Sequence, residues 1–369
     1  MKITILGAGN GGQAMAADLT LAGHDVRLAA VPGHSSAISI INACGGLYLE
    51  GTTSGQHATG FARIPLVTTD VALALRGAEV VMVVIPAYGQ EEYMREIIAH
   101  GEPGQIVVFN PGKFGALAFR KMLRDAGREN DFIIGETASL IYAAKPRRFD
   151  RMNIKAVKSE LMFAALPSTD TRRALAVLKH VFPQFTEGDN IMATSVDDTS
   201  LVLHTVSTLM NTSRIELMGP YRNAHYDVTP SVGRAMESLD AERMSLCRAF
   251  GNYAVPFVLT LRFRYDAIGE NLYEALKQVP AYRIQMSPDS LKHRYVTEEV
   301  PYGLVPVTEI ARVAGIPTPG MDAIVHLASI ANGIDYRTEG RTLAKLGLEG
   351  MPLHEIIDYI APGWEGYYA

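Results

Sequence analysis

Three groups of residues have the types and spacing to do chemistry. Gly7-Ala8-Gly9-Asn10-Gly11-Gly12 puts four glycines into six residues, directly after an apolar run that ends at Leu6 and before a stretch with helical spacing. In that setting a glycine-rich turn cradles a dinucleotide. Gly7 permits the tight turn, Gly9 lets the backbone approach a pyrophosphate, Gly12 allows helix to pack on strand, and the helix start supplies amides to the anion. The second group is a polar stripe on an otherwise apolar segment. His204, Thr208 and Asn211 stand at i, i+4 and i+7, with Thr205 beside them, so a helix would carry the stripe on one face. The third is the segment from His293 to Pro306, which carries Arg294, Glu298 and Glu299. An imidazole, with an unperturbed pKa of about 6.5, suits proton transfer near neutral pH. A guanidinium grips a carboxylate through two parallel hydrogen bonds, which a lysine cannot reproduce.

Further positions follow from the rule that ligands sit at the carboxyl ends of parallel strands. An NAD-selective fold usually ends its second strand with an acid that binds the ribose 2′-hydroxyl. Here the chain continues Leu28-Ala29-Ala30-Val31-Pro32-Gly33-His34-Ser35-Ser36 with no acid. A 2′-phosphate would meet His34, Ser35 and Ser36, so the reading leans to NADP(H) and leaves NAD(H) open. Pro86 and Ala87 are expected along the cofactor's ribose side, and Glu136 is expected to reach the nicotinamide. Lys113, in Asn110-Pro111-Gly112-Lys113-Phe114-Gly115, is expected at the nicotinamide end. It would either hold a substrate carboxylate or be a solvated loop charge.

The elements that must position these residues are legible as alternating apolar runs. Strands are predicted over 2–6, 25–30, 80–85, 105–109, 132–135 and 161–166, with a short one near Phe185. Helices are predicted over 13–21, 91–100 and 171–182. That alternation predicts a doubly wound parallel sheet. From Asp189 onward long helical periods take over, over 196–217, 231–250 and, in pieces, 307–331, while 265–300 reads as a loop. The expected fold is therefore α/β plus all-α. A Rossmann domain spans 1–187, and a helical substrate-binding and catalytic domain spans 188–369.

A chain of 369 residues with 48% hydrophobic residues can bury two cores. With 34 basic against 39 acidic residues and a net charge of -5, no like-charge run invites nucleic acid. The two cysteines, Cys44 and Cys247, have neither disulfide nor zinc-site spacing. No metal is expected. No apolar stretch approaches the about 20 residues that cross a bilayer, no leader is expected before the first strand, and a cytoplasmic location is expected. The long helices leave a homodimer open.

The glycine turn, the His204 helix ending near Asn211, and Arg294-Tyr295-Val296-Thr297-Glu298-Glu299-Val300-Pro301-Tyr302-Gly303-Leu304-Val305-Pro306 together resemble the octopine and nopaline dehydrogenases, the opine dehydrogenase family. The similarity continues through Ala314-Gly315-Ile316-Pro317-Thr318-Pro319 and Gly340-Arg341-Thr342-Leu343, covering nearly the whole chain. The resemblance implies an NAD(P)H-dependent reductive condensation of an amino acid's amine with a 2-oxo acid, such as pyruvate, through an imine. It also implies a catalytic pair, His204 and Glu299, and a substrate-binding Arg294. The carboxylate is usually Asp in that family, and here it is Glu, one methylene longer. Glu298 remains an alternative partner for His204. Thr205 and Asn211 are further candidates for substrate hydrogen bonds. Two other readings stay open: reduction of a ketone or 3-hydroxy acid by a Rossmann-plus-helical dehydrogenase, and nucleotide sensing without turnover.

Overall fold

The computed structural model describes residues 1–55, 57–218, 227–283 and 286–363. They form two compact units: Met1–Thr194 with Tyr359–Pro362, and Ser195–Asp358 with Gly363.

The first unit holds twelve strands: β1 Lys2–Leu6, β2 Asp25–Ala29, β3 Leu47–Gly51, β4 Gly60–Ala62, β5 Leu66–Thr68, β6 Val80–Val83, β7 Ile106–Phe109, β8 Ile133–Thr137, β9 Tyr142–Arg148, β10 Arg151–Val157, β11 Leu161–Leu166 and β12 Phe185–Glu187. Eight make the main sheet, in the order β12-β11-β8-β7-β6-β1-β2-β5. From β5 to β8 every neighbour is parallel, while β11 runs antiparallel to β8 and parallel to β12. The chain leaves β1 for β2 on one side and later returns to β6 on the other, so the strand order reverses at β1. That reversal opens a crevice at the carboxyl end of β1, where a Rossmann sheet takes its nucleotide. The central strands are continuous apolar runs because helices cover both faces: Val80, Val81, Met82 and Val83 are all 0% exposed.

The sequence reading did not anticipate a second sheet, in the order β4-β3-β10-β9. It covers the helix Asn10–Leu21, whose far side lies on the main sheet. The helix is therefore buried on both sides and rich in small residues, with Ala14, Ala16 and Ala17 fully buried. One acid sits in that sandwich. Asp18, also fully buried, accepts from the Tyr142 hydroxyl at 2.6 Å and from the Ser54 amide at 3.2 Å, and His57 Nε2 lies 3.2 Å away. Burial, with the Asp18 charge beside it, pushes the Tyr142 phenol well above its ordinary pKa, so Tyr142 remains a donor.

The second unit is helical. The stretch expected as one helix over 196–217 is broken into Ser200–Leu209 and Thr212–Met218, and the expected loop over 265–300 contains the helix Leu272–Gln278. The long helix Pro230–Ala249 organises the unit with buried charges. Its Glu242 carboxylate accepts from Gly320 N at 2.7 Å and Met321 N at 2.9 Å, capping the helix Pro319–Asn332. Its Asp240 accepts from Phe257 N at 2.8 Å, capping the helix Phe257–Tyr265. Neither capped helix has a side-chain cap of its own, so distant acids satisfy amides that would otherwise be orphaned. Among the described residues no helix is long and apolar enough to cross a membrane.

Candidate active site

In the first unit the turn after β1 assigns each glycine a separate reason. Gly7 has φ +107°, and a Cβ there would lie 2.6 Å from the Val84 carbonyl oxygen. At Gly12 a Cβ would come within 1.8 Å of the Gly7 carbonyl oxygen, so only glycine lets the helix Asn10–Leu21 start this close to the turn. Gly9 is different. Its φ is an ordinary -73° and a Cβ would meet nothing within 4 Å. It borders open space beside the first helical turn, whose amides have no intrahelical acceptor. The arrangement fits a pyrophosphate held against backbone N–H groups, with Ala8, Asn10 and Gly11 completing the turn. Gly9→Val is therefore expected to leave the melting temperature unchanged while raising the cofactor Kd about tenfold or more. Gly12→Ala is expected to lower both stability and affinity. Differential scanning fluorimetry and a cofactor titration separate the two outcomes.

The remaining first-unit candidates fall into different environments. His34 is exposed in the short turn Pro32–His34, and Ser35 precedes the helix Ser36–Cys44. Pro86 is exposed and Ala87 buried, just beyond the carboxyl end of β6. Glu136 on β8 is wholly buried. One oxygen accepts from the Ala116 amide at 3.1 Å and the other from the Thr194 hydroxyl at 2.9 Å. The carboxylate expected at the nicotinamide thus ties β8 to the start of the helix Gly115–Asp125. Lys113 is not a solvated loop charge: it is 6% exposed, and it and Phe114 both occupy the left-handed region, with φ 52° and 62°. Two consecutive non-glycine residues in that region are strained, a condition common at functional sites. Sequence reasoning missed Asn110, at the carboxyl end of β7. It is 0% exposed, and neither its carboxamide oxygen nor its nitrogen has a hydrogen-bond partner. A buried amide in that state is costly unless a ligand or an ordered water completes it. The one signal was a polar residue closing an apolar strand.

In the second unit the structure brings together two residues 95 positions apart. His204 Nδ1 lies 2.9 Å from Glu299 Oε1, and Glu299 Oε2 accepts from the Ser200 hydroxyl at 3.2 Å. An ionised carboxylate only accepts, so Nδ1 carries the hydrogen and Nε2 is left as the ring's proton-exchanging atom. The extra methylene of Glu relative to Asp does not prevent the pairing. Glu299 begins a π-helical turn, Val300–Leu304, with Pro301 in its first positions and Pro306 just beyond. Prolines donate no amide and loosen the helical ladder there. Gly303 sits where a Cβ would come to 2.2 Å of Leu201 Cδ2, so its lack of a side chain lets this turn lie against the helix Ser200–Leu209 that carries His204.

The neighbouring acid does other work. Glu298, 1% exposed, accepts from Arg294 Nη1 at 3.1 Å, while the Arg294 side chain is about half exposed. Burial opposes the Arg294 charge, but the Glu298 and Glu299 carboxylates outweigh it and hold the guanidinium pKa above its ordinary value. Thr205 and Asn211 are not brought to this cluster. Thr205 is 0% exposed with its hydroxyl turned back on the Leu201 carbonyl. Asn211 lies past the helix end and donates to the Ser207 and Asp227 carbonyls at 2.8 and 3.0 Å.

Residues 187–332 match the model of the NAD/NADP octopine/nopaline dehydrogenase alpha-helical domain, and residues 2–109 match that of the coenzyme F420-dependent NADP oxidoreductases. Over 349 residues the chain is 36% identical to an opine dehydrogenase of Arthrobacter sp. (strain 1C), covering 94% of this chain and 95% of that one. The chain belongs to the opine dehydrogenase family. It is an NAD(P)-dependent oxidoreductase acting on CH–NH bonds, and its reaction is the reductive condensation of an amino acid with a 2-oxo acid. A vitopine synthase of Allorhizobium ampelinum is 24% identical over 97% of this chain and 98% of its own. The fold of this opine dehydrogenase is that of an octopine dehydrogenase solved with NADH and L-arginine, at TM-score 0.78 and 18% identity over 100% and 99% of the two chains. It is also that of a yersinopine dehydrogenase solved with NADP+, at TM-score 0.72 and 17% identity over 98% and 97%.

Proposed function

We propose that His204 and Glu299 form the proton-handling pair of this opine dehydrogenase and that Arg294 grips a substrate carboxylate. The observation that carries the reading is the 2.9 Å contact between His204 Nδ1 and a carboxylate that is 2% exposed. Glu299 fixes the tautomer and stabilises the imidazolium, so that Nε2 can give and take a proton as water leaves the adduct of amine and oxo acid. The cofactor supplies the hydride that reduces the resulting imine. Arg294 orients the imine carbon by holding the adjacent carboxylate. Glu298 holds the guanidinium in place from the protein side.

On the cofactor side, the turn Gly7–Gly12 takes the pyrophosphate, and Pro86 and Ala87 border the ribose. The absence of an acid after β2, with His34 and Ser35 ahead of a helix start, favours NADP(H) over NAD(H). Both cysteines are free thiols, in keeping with a reducing cytoplasm. Incubation with NADPH, pyruvate and single amino acids, followed by mass spectrometry, tests the reading. The expected product is a secondary amine whose mass is the sum of the two substrates less one oxygen. Lactate or another 2-hydroxy acid as the sole product would refute it.

Arg294→Lys is expected to raise KM for the 2-oxo acid about 10–100-fold, because a point charge replaces a charged, bidentate fork. The cofactor Kd should not move. Steady-state kinetics with the oxo acid varied at saturating amine checks this.

A further inference from the structure

We infer that Tyr295 is a positioning residue for His204, holding the imidazole face-on so that its one remaining polar atom keeps a fixed aim. This inference rests on the reading of His204 as the proton carrier. The two rings are stacked with centroids 3.7 Å apart and planes 7° from parallel. Glu299 fixes the imidazole at one edge, through Nδ1, but a single hydrogen bond leaves the ring free to rock about that contact. A parallel ring against one face removes that freedom. Tyr295 is itself held. It is 8% exposed, its amide donates to His293 Nδ1 at 3.3 Å, and the His293 ring stands edge-on to it at 4.5 Å and 86°. The short helix Arg294–Thr297 thus delivers its arginine and this ring from adjacent positions.

The test compares Tyr295→Phe, Tyr295→Leu and Tyr295→Met for kcat and KM, with His204→Gln alongside. Tyr295→Phe keeps the face and should retain kcat within about threefold. Leu and Met should each lower kcat about 10–100-fold with KM for both substrates little changed. Met serves if Leu does not fold. Two results would overturn the inference: Phe falling as far as Leu and Met, which would assign the effect to the hydroxyl, or Leu and Met keeping the wild-type kcat. Loss of activity in His204→Gln with either result leaves the reading of His204 intact. Retention of activity in His204→Gln removes that reading, and the inference with it.

Discussion

His204→Gln is expected to lower kcat about 10²–10⁴-fold, the range over which a positioned acid–base group contributes, with the cofactor Kd unchanged. Glutamine keeps the side chain's polarity and approximate reach but cannot exchange a proton near neutral pH. The side chain is 16% exposed and belongs to no hydrophobic core, so the substitution empties none. Glu299→Gln should fall in the same direction, because an amide can turn its NH₂ toward Nδ1 and favour the wrong tautomer. Glu299→Asp should be milder, since a carboxylate is retained. A kcat for His204→Gln within a few-fold of wild type would mean that solvent or another residue carries the proton.

The second large effect concerns stability. Arg243→Met is expected to destabilise the second unit by about 3–5 kcal/mol, the usual result of removing one partner from a buried ion pair. The Arg243 side chain is 0% exposed. It donates through Nε to Asp240 at 2.8 Å, through Nη2 to the Val255 carbonyl at 2.7 Å, and through Nη1 to Asp197. Without the guanidinium, Asp240 is a buried carboxylate that still caps a helix but has lost its counter-charge. Asp240→Asn in the same chain should recover part of the loss, because the uncompensated charge disappears while an acceptor for Phe257 N remains. Urea denaturation of the two variants checks this, and equal destabilisation of single and double variants would show that packing, not charge, is responsible.

What was legible in the sequence follows from how each element is buried. Two strands, β1 and β11, fall where the apolar runs put them, because strands covered on both faces leave an uninterrupted signal. The second sheet left no such signal. Its β9 carries Lys145, Pro146, Arg147 and Arg148 on an exposed edge, and its β3 ends in Glu50 and Gly51, so neither stood out as an apolar strand. The helix Leu272–Gln278 was hidden by its shortness, although Asn271 caps it by accepting from the Glu274 amide. At the site, the glycine turn was readable because each glycine answers a local backbone demand. The choice between Glu298 and Glu299 was not, because adjacent side chains point in different directions and the sequence does not say which of the two faces the helix that carries His204. Asn211 looked like part of a stripe with His204, but the helix stops at Leu209, two residues short of carrying it.

The central claim, that this chain joins an amine to an oxo acid, meets its most direct test in a crossed omission assay. Oxidation of NADPH, and separately NADH, is followed by absorbance with pyruvate alone, with each of a panel of amino acids alone, and with both together. The account predicts oxidation only when both substrates are present, and its collapse in His204→Gln. Oxidation driven by the oxo acid alone, with no dependence on any amine, would contradict it.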